Sequence, residues 1–261
     1  MDKILKVGFS LNSGDLLTLI PGFQHLYITA GIKAQIWHRI GLKREDHPVK
    51  DKNGESVCMN EQMFEMLKPL LESQKYVESY NRWEGQKVDW DMDKTRTQSS
   101  IPHPYGDLYF YPFYHFPELQ CDLSAKTFHV EQSDLLKDKI LINRTQRYNN
   151  PYITYFFLKE YQDSVYFIGT SVEHKAFCDE FKLEIQLFNV NNFLELAEYM
   201  AGCRFFIGGQ SLCFHIANGL KIRRLLEVCA EYPNTLPSGK NGYAFLYQEA
   251  LELYFKQLIN S

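Results

Sequence analysis

The chain has 261 residues, which is enough for one large domain or two small ones and for a sizeable hydrophobic core. Hydrophobic residues make up 45% and charged residues 23%, a globular composition that excludes a chain disordered throughout. The 28 basic and 32 acidic residues give a net charge of −4 without a Lys/Arg-rich run, so nucleic acid is not an expected partner.

Two further features of the whole chain bear on its cellular location and on metal binding. The longest uncharged stretches, 16–32 and 205–220, contain prolines, amides and histidines that a bilayer core would penalise, so no transmembrane segment is expected. Any membrane contact would therefore be peripheral. The six cysteines are scattered, with no C-x-x-C pair and no Cys/His cluster at metal-ligand spacing. We expect a cytoplasmic protein without cofactor or bound metal.

The first half begins with a strand and a helix. A β-rich run over 4–10 leads through a turn at 12–14 into a helical pattern over 15–30, and 33–38 predicts a second strand. A turn at 51–54 suits a hairpin, and the helical period over 60–74 contains Pro69, which predicts a kink or break. We expect irregular structure over 83–132, where aromatic residues and prolines crowd together as at 101–104, and a core role for the aromatic stretch 105–116.

The second half alternates more regularly between strands and helices. Predicted strands lie at 139–143, 164–168, 185–188, 204–207 and 224–229, and predicted helices at 151–161, 173–181, 192–201, 211–219 and 243–259. Parallel strands joined by helices make a doubly wound sheet. We place the domain boundary near 134–139, which gives domains over 1–135 and 136–242 and a C-terminal helix over 243–261.

The loop after the first strand carries the first candidate site. Ser13, Gly14 and Asp15 stand where a parallel strand ends and its helix begins, the edge at which open α/β sheets bind ligands. Gly14 permits close approach of the backbone, and Asp15 would aim its carboxylate into the crevice. Asp is also a favoured N-cap, and these residues alone favour the capping role.

A second candidate site is a glycine pair before the helix predicted over 211–219. Free N–H groups at a helix start suit a phosphate, Ser211 adds a hydroxyl, and His215 lies one turn further on. Taken alone, the segment favours a glycine turn with a helix-buried histidine. The sequence contains neither a Walker loop nor a G-x-G-x-x-G motif.

Two more polar loops follow predicted strands of the second half. Arg144 and Arg147 come after the strand at 139–143 and suit a diphosphate, because guanidinium groups pair with phosphate oxygens in a fork. Glu173 comes after the strand at 164–168 and suits ribose hydroxyls. Either of these segments alone is equally consistent with a solvent-exposed loop that binds nothing. Three candidate loops after strands in one half of the chain favour a ligand site.

Two stretches resemble the heptosyltransferase-like enzymes of glycosyltransferase family 9. Residues 13–21, Ser-Gly-Asp-Leu-Leu-Thr-Leu-Ile-Pro, are similar to the Gly-Asp opening of the family, and residues 209–217, Gly-Gln-Ser-Leu-Cys-Phe-His-Ile-Ala, are similar to its Asp-Ser/Thr-Gly-x-x-His-x-Ala signature. The resemblance covers about 139–227 in the second half and the chain to about residue 38 in the first. It implies an α/β chain of GT-B type, with two Rossmann-like doubly wound domains facing a cleft and the N-terminal one reduced and irregular.

The resemblance also implies a role for each candidate residue. Asp15 falls at the proposed base, in the N-terminal loop with Ser13 and Gly14. Arg147, with Arg144 as its companion, falls where basic residues meet the donor diphosphate, and Glu173 falls at a ribose contact. The phosphate-binding loop and helix would comprise Gly209, Gln210, Ser211, Leu212 and His215. The sequence departs from the family at two of these positions, where Gln210 replaces an Asp and Leu212 a Gly.

The implied activity is inverting, metal-independent transfer of a hexosyl or heptosyl group from a nucleotide-diphosphate sugar to a hydroxyl of a glycan or glycolipid, in surface-glycan or lipopolysaccharide synthesis. Asp15 would take the proton of the acceptor while arginines and helix N–H groups stabilise the leaving diphosphate, with closure of the cleft excluding water. Two alternatives stay open. One is a metal-dependent transferase using the D-x-D residues Asp89, Asp91 and Asp93, which we instead expect in a solvated turn or helix start. The other is a non-catalytic member that binds a nucleotide or glycan.

Overall fold

The computed structural model of the protein describes residues 3–45, 47–97 and 106–261. They form two compact units. The first contains the described residues of Met1–Pro102 together with Leu108–Leu123 and Asn191–Glu195. The second contains the described residues of His103–Asp107 together with Ser124–Val190 and Leu196–Ser261. The domain bounds 1–135, 136–242 and 243–261 stay a prediction.

The first unit is built on a four-stranded sheet in the order β3-β2-β1-β4, and every neighbouring pair is parallel. Its strands are β1 (Lys3–Phe9), β2 (Ile32–His38), β3 (Val77–Arg82) and β4 (Trp90–Asp91). Its helices are α1 (Ser13–Leu17), α2 (Ile20–Ala30), α3 (Glu61–Glu72), α4 (Lys94–Thr97) and α5 (Tyr111–His115). The strand order reverses beside β1, so the carboxyl end of β1 lies at the switch point where doubly wound sheets bind ligands.

Several predictions for the first unit need correction. The helix predicted over 15–30 is two helices, α1 and α2. Pro69 lies inside α3 without ending it, so the predicted break is wrong, while the alternative of a kink stays a prediction. Strands β3 and β4 lie in segments where no strand was predicted. In the aromatic stretch Tyr109, Tyr111 and Phe116 are buried in the core, as predicted, whereas Phe110 and Tyr114 are 50% and 60% exposed. Residues 98–105, including the stretch 101–104, lie outside the described residues.

The second unit is built on a six-stranded sheet in the order β10-β9-β8-β5-β6-β7, and all its pairs are parallel. Its strands are β5 (Ile140–Asn143), β6 (Val165–Phe167), β7 (Gln186–Leu187), β8 (Phe205–Gly208), β9 (Arg224–Glu227) and β10 (Gly242–Phe245). The helices that follow its strands are α6 (Ser171–Phe181), α7 (Phe193–Gly202), α8 (Leu212–Leu220) and α9 (Gln248–Ile259). The α/β class and the two Rossmann-like parallel sheets are confirmed.

The core of the second unit lies between its sheet and the helices. Ile142, Phe205 and Leu225 of the central strands are fully buried with Phe177 of α6 and Phe255 of α9. Two predictions were wrong here: the helix predicted over 151–161 is a 3₁₀ helix at Phe156–Ser164, and the chain from 243 begins as β10 rather than as a helix. No helix in the described part of the chain is long and apolar enough to cross a membrane.

Candidate functional site

Asn143 joins three elements at the carboxyl edge of the second sheet. This residue ends β5 opposite Gly208 of β8 and is 2% exposed. Its Nδ2 donates to the carbonyl of Ile168 at 2.7 Å, and its Oδ1 accepts from Ser211 Oγ at 2.6 Å. Asn143 was not among the predicted site residues, although an amide at the end of a buried apolar strand is a signal that could have identified it.

Helix α8 begins directly beside this amide. Ser211 is its N-cap, and Ser211 Oγ accepts from the Phe214 N–H at 3.4 Å. The N–H groups of Leu212 and Cys213 lie in the first turn and have no acceptor within the helix, so they leave partial positive charge at the helix start. His215 is only 5% exposed and lies inside the helix, with its ring edge-on to Phe214. The structure thus gives a capped helix start with a buried histidine.

The loop after β5 lies against the glycine turn. A Cβ added to Gly209 would lie 3.9 Å from Asn149 Oδ1 and 4.0 Å from the Tyr148 carbonyl oxygen, so this loop faces the open side of the turn. Asn149 Oδ1 is buried and accepts no hydrogen bond among the described residues. Half-buried Arg147 lies in the same loop, with its guanidinium carbon 5.1 Å from the centroid of the Tyr148 ring. The structure therefore brings the loop of Arg147 to the start of α8.

Arg144 has a different environment from Arg147. It is 7% exposed, and its guanidinium donates to Glu227 at 3.0 Å and to Glu180 at 3.2 Å. Glu227 is fully buried and also accepts from Tyr155 Oη at 2.7 Å and the Asn150 N–H at 2.6 Å. Burial opposes the charge of Arg144, but Glu227 outweighs it and holds the pKa of the guanidinium above its usual value. Arg144 therefore anchors the loop after β5 to the end of β9.

Glu173 takes part in a capping box at the start of α6. Its Oε2 accepts from the Thr170 N–H and from Thr170 Oγ1, each at 2.9 Å, and its own N–H donates to Thr170 Oγ1 at 3.2 Å. Glu173 is half-buried in the first turn of α6, the helix that follows β6, and β6 lies two strands along the sheet from β8. The predicted ribose contact thus lies at the same sheet edge and already serves as a helix cap.

Gln210 links the glycine turn to the loop after β9. Its Nε2 donates to the Tyr232 carbonyl at 2.8 Å and to Asn234 Oδ1 at 2.9 Å, and its Oε1 accepts from the Cys229 N–H at 2.8 Å. At the position where the family usually has an aspartate, this chain has a neutral amide whose donor and acceptor atoms both bond within the fold.

Asp15 lies at the carboxyl end of β1 in the first unit. Helix α1 begins at Ser13 with Asn12 as its N-cap, so the capping interpretation of Asp15 was wrong. The Asp15 carboxylate contacts Arg96 Nη1 at 3.4 Å and Asn12 Nδ2 at 3.4 Å, and its side chain is 13% exposed. Ser13 is buried and Gly14 half-buried beside it. The signal for Arg96 was absent from the local sequence, because it lies 81 residues from Asp15.

The D-x-D residues lie in and on either side of β4, the edge strand of the first sheet. Asp91 belongs to β4, so the expectation of a solvated turn or helix start was wrong for this residue. It is confirmed for the other two, because exposed Asp89 lies in a bend and Asp93 lies in the turn directly before α4. Asp89 accepts from the Lys6 N–H and Asp93 from the Ser10 N–H, both at 2.8 Å. Burial raises the pKa of the Asp93 carboxyl, against the Ser10 hydrogen bonds. Within the described ranges, no three His, Cys, Asp or Glu side chains are grouped as ligands of one metal ion.

His38 holds the loop after β1. Its Nε2 lies 2.8 Å from the Leu11 carbonyl oxygen, which can only accept, so Nε2 carries the hydrogen and Nδ1 accepts from Tyr80 Oη at 2.7 Å. Burial lowers the pKa of His38 to about 4, so the ring is neutral at pH 7. This neutral ring ties the ends of β2 and β3 to the loop that leads to Asp15.

Comparison with known proteins shows similarity in fold. No family model and no curated protein matches the sequence. Among solved structures, the Escherichia coli ADP-heptose lipopolysaccharide heptosyltransferase II has a TM-score of 0.60 at 12% identity, over 99% of this chain and 98% of its own. The glycosyl transferase family 9 protein from Veillonella parvula DSM 2008 has a TM-score of 0.52 at 12% identity, over 97% of this chain and 91% of its own.

This chain has the fold of these glycosyltransferases. The heptosyltransferase TibC, solved with ADP-D-β-D-heptose, also matches, with a TM-score of 0.57 and 11% identity over 92% of this chain. This chain spans only 63% of TibC. The resemblance first seen in residues 13–21 and 209–217 thus extends to the fold of almost the whole chain.

Proposed function

We propose that the protein transfers a sugar from a nucleoside-diphosphate sugar to a hydroxyl of a glycan or glycolipid acceptor, with inversion and without a required metal. We further propose that it does so in the cytoplasm, in the synthesis of surface glycan or lipopolysaccharide. The fold supports this proposal, because the heptosyltransferases that share it are named for the same class of donor.

One observation carries the proposal. The loop containing Arg147 lies against Gly209 at the start of α8, and Gly209 leaves the space there that a side chain would fill. A guanidinium and the N–H groups of a helix start are both groups that proteins use to bind phosphate. The proximity of the Arg147 loop to this helix start, at the carboxyl edge of a parallel sheet, favours a diphosphate ligand.

The residues of this chain would divide the chemistry between them. The acceptor oxygen attacks the anomeric carbon, and the bond from that carbon to the diphosphate oxygen breaks with its electron pair. The Asp15 carboxylate takes the acceptor proton, while Arg147 and the N–H groups of Leu212 and Cys213 stabilise the charge of the leaving diphosphate. Attack from the face opposite the leaving group gives the inverted product.

The test measures binding of ADP, UDP and GDP by calorimetry, with and without excess EDTA. We expect at least one nucleoside diphosphate to bind with a dissociation constant that EDTA does not change. A matching nucleotide sugar should then release its nucleoside diphosphate when de-acylated lipopolysaccharide is present as acceptor. Binding that disappears with EDTA would favour a metal site at Asp89, Asp91 and Asp93, and no binding at all would contradict the proposed function.

A non-catalytic nucleotide-binding role is a second candidate, favoured by Gln210. Its amide replaces the acidic group expected near the donor sugar and is bonded within the fold at both ends. The same assays separate the two functions. Tight nucleotide binding with no release from any of the three classes of nucleotide sugar would support the non-catalytic role.

A further inference from the structure

Arg96 and Asp15 form an enclosed ion pair in the first unit. Arg96 Nη1 lies 3.4 Å from Asp15 Oδ1, and the two side chains are 18% and 13% exposed. Arg96 belongs to α4, which follows the edge strand β4, whereas Asp15 belongs to α1, which follows β1. The pair therefore connects the two segments that leave the switch point of the first sheet.

The Asp15 carboxylate is contacted at both of its oxygens. Arg96 approaches Oδ1, and Asn12 Nδ2 approaches Oδ2 at 3.4 Å. An ionised carboxylate offers about four lone-pair sites, so two donors leave acceptor capacity for a third hydrogen. The two contacts thus restrict rotation of the carboxylate without using all of its acceptor sites.

Arg96 is itself held in place. Its N–H donates to the Asp93 carbonyl at 3.0 Å, and its guanidinium carbon lies 5.4 Å from the centroid of the Tyr111 ring. An arginine held at its backbone, against an aromatic ring and by a carboxylate has little conformational freedom left to lose when that carboxylate accepts a proton. Such a group is suited to setting the direction of its partner.

We propose that Arg96 is a positioning residue that orients the Asp15 carboxylate toward the acceptor hydroxyl. This inference rests on the proposed function, in which Asp15 takes the acceptor proton. Arg96 acts through Asp15 and is not itself assigned a contact with donor or acceptor.

Arg82 provides a matched comparison within the same unit. It pairs with Glu61 and Glu65 at the surface, where its side chain is 49% and theirs are each 55% exposed. Exposed ion pairs of this kind add little to stability or geometry. Arg82→Met removes the same charge from an arginine–carboxylate pair that has no role in the proposed reaction, which makes it the control for Arg96→Met.

The experiment is a double-mutant cycle on turnover. The parent, Arg96→Met, Asp15→Asn and the double variant are compared by release of nucleoside diphosphate from the tightest-binding nucleotide sugar, with de-acylated lipopolysaccharide as acceptor. Asp15→Asn should lower kcat by roughly 10²- to 10⁴-fold. Arg96→Met should lower kcat by roughly 10- to 100-fold with the KM for donor unchanged, since misplacement of a reacting group by about an ångström has an effect of this size.

The decisive comparison is the double variant. If Arg96 acts only through Asp15, adding Arg96→Met to Asp15→Asn should change kcat by less than about twofold. Arg96→Lys should recover part of the activity, and Arg82→Met should behave as the parent. Thermal melts of all variants separate a loss of orientation from a loss of folding, and Arg96→Lys keeps the test usable if Arg96→Met is unstable.

The remaining outcomes would contradict either the role of Arg96 or the role of Asp15. Equal loss from Arg96→Met in both backgrounds, or a raised KM for acceptor at unchanged kcat, would show that Arg96 acts independently of Asp15. Parent-like turnover by Arg96→Met beside an impaired Asp15→Asn would overturn the positioning role alone. Parent-like turnover by Asp15→Asn would remove the base from the proposed function, and the role of Arg96 with it.

Discussion

Arg144 and Arg147 look alike in the sequence and differ in the structure. Both follow β5, but the guanidinium of Arg144 is buried against Glu227, whereas Arg147 is half-buried in the loop that faces Gly209. Glu227 lies 83 residues further along the chain, so no local pattern could separate the two arginines. Their residue type and spacing predicted a basic loop. The long-range ion pair with Glu227 buries Arg144, whereas Arg147 stays half-buried in the loop.

This difference predicts that one alanine substitution mainly weakens nucleotide binding and that the other mainly lowers folding stability. Arg147→Ala should weaken binding of a nucleoside diphosphate by tenfold or more, since a charge-assisted hydrogen bond contributes about 1.5 to 3 kcal/mol. It should change the free energy of unfolding by about 1 kcal/mol or less. Arg144→Ala should lower the free energy of unfolding by about 3 to 5 kcal/mol, because Glu227 would be left as a buried, unpaired charge.

Calorimetric titration and urea denaturation measure these two quantities. Lys159→Ala, on an exposed lysine of the same unit, is the control for loss of one positive charge and should leave both quantities unchanged. Unaltered nucleotide affinity in Arg147→Ala would show that this loop does not contact the diphosphate.

At the scale of elements, strands with a clear apolar pattern were predictable, and strands without one were not. The apolar runs of β5 and β8 gave clear patterns, because both strands are buried along their whole length. β4 has two residues and gives no periodicity, and β3 alternates too irregularly to stand out. β10 was taken for a helix, since its Tyr-Ala-Phe segment suits either state and only pairing with β9 selects the strand.

The burial of His38 between the loop after β1 and strand β3 predicts a pH dependence of stability. The pKa of His38 is lowered to about 4 in the folded chain, while an unfolded histidine keeps its value of 6.5. The unfolded chain therefore binds the proton more readily, and folded stability is complete above pH 6.5 and falls as the pH approaches 4. The shift corresponds to about 3 kcal/mol in total, of which about 2 kcal/mol should disappear between pH 7 and pH 5.

His38→Gln isolates this effect from the other titrating groups. The glutamine amide can still donate to the Leu11 carbonyl but does not titrate. Urea denaturation of both proteins should show a stability advantage of the parent that shrinks by about 2 kcal/mol from pH 7 to pH 5. A difference between the two proteins that stays constant over this range would show that His38 is not buried as a neutral ring.

For the whole molecule, the sequence predicted two parallel α/β sheets but not which residues belong to each compact unit. Alternation of strands and helices is a local signal, whereas the grouping of Asn191–Glu195 with the first unit depends on contacts between distant segments. The candidate site shows the same limit. Each motif was correctly placed after a strand. The hydrogen bonds of Asn143 and Gln210, however, join segments far apart in the sequence, and those of Glu173 close a helix cap, so the motifs alone did not predict them.

The division into two units makes a prediction about where a bound nucleotide acts. Arg147, Gly209 and the start of α8 all belong to the second unit, so a nucleoside diphosphate held by them should stabilise that unit directly. At 100 times its dissociation constant, a ligand stabilises the state that binds it by about 3 kcal/mol. Amides that exchange only when the second unit unfolds should then exchange about 100-fold more slowly.

Hydrogen exchange with mass spectrometry tests this prediction peptide by peptide. With the nucleoside diphosphate that binds most tightly, we expect protection to rise in peptides that contain β5, β8 and α8, and little change in peptides from β1 and β2. Arg147→Ala at the same ligand concentration should reduce the gain in protection, because the fraction of protein bound falls with affinity. Protection confined to β1, β2 and their loops would locate the nucleotide in the first unit and contradict the assignment of the diphosphate to the start of α8.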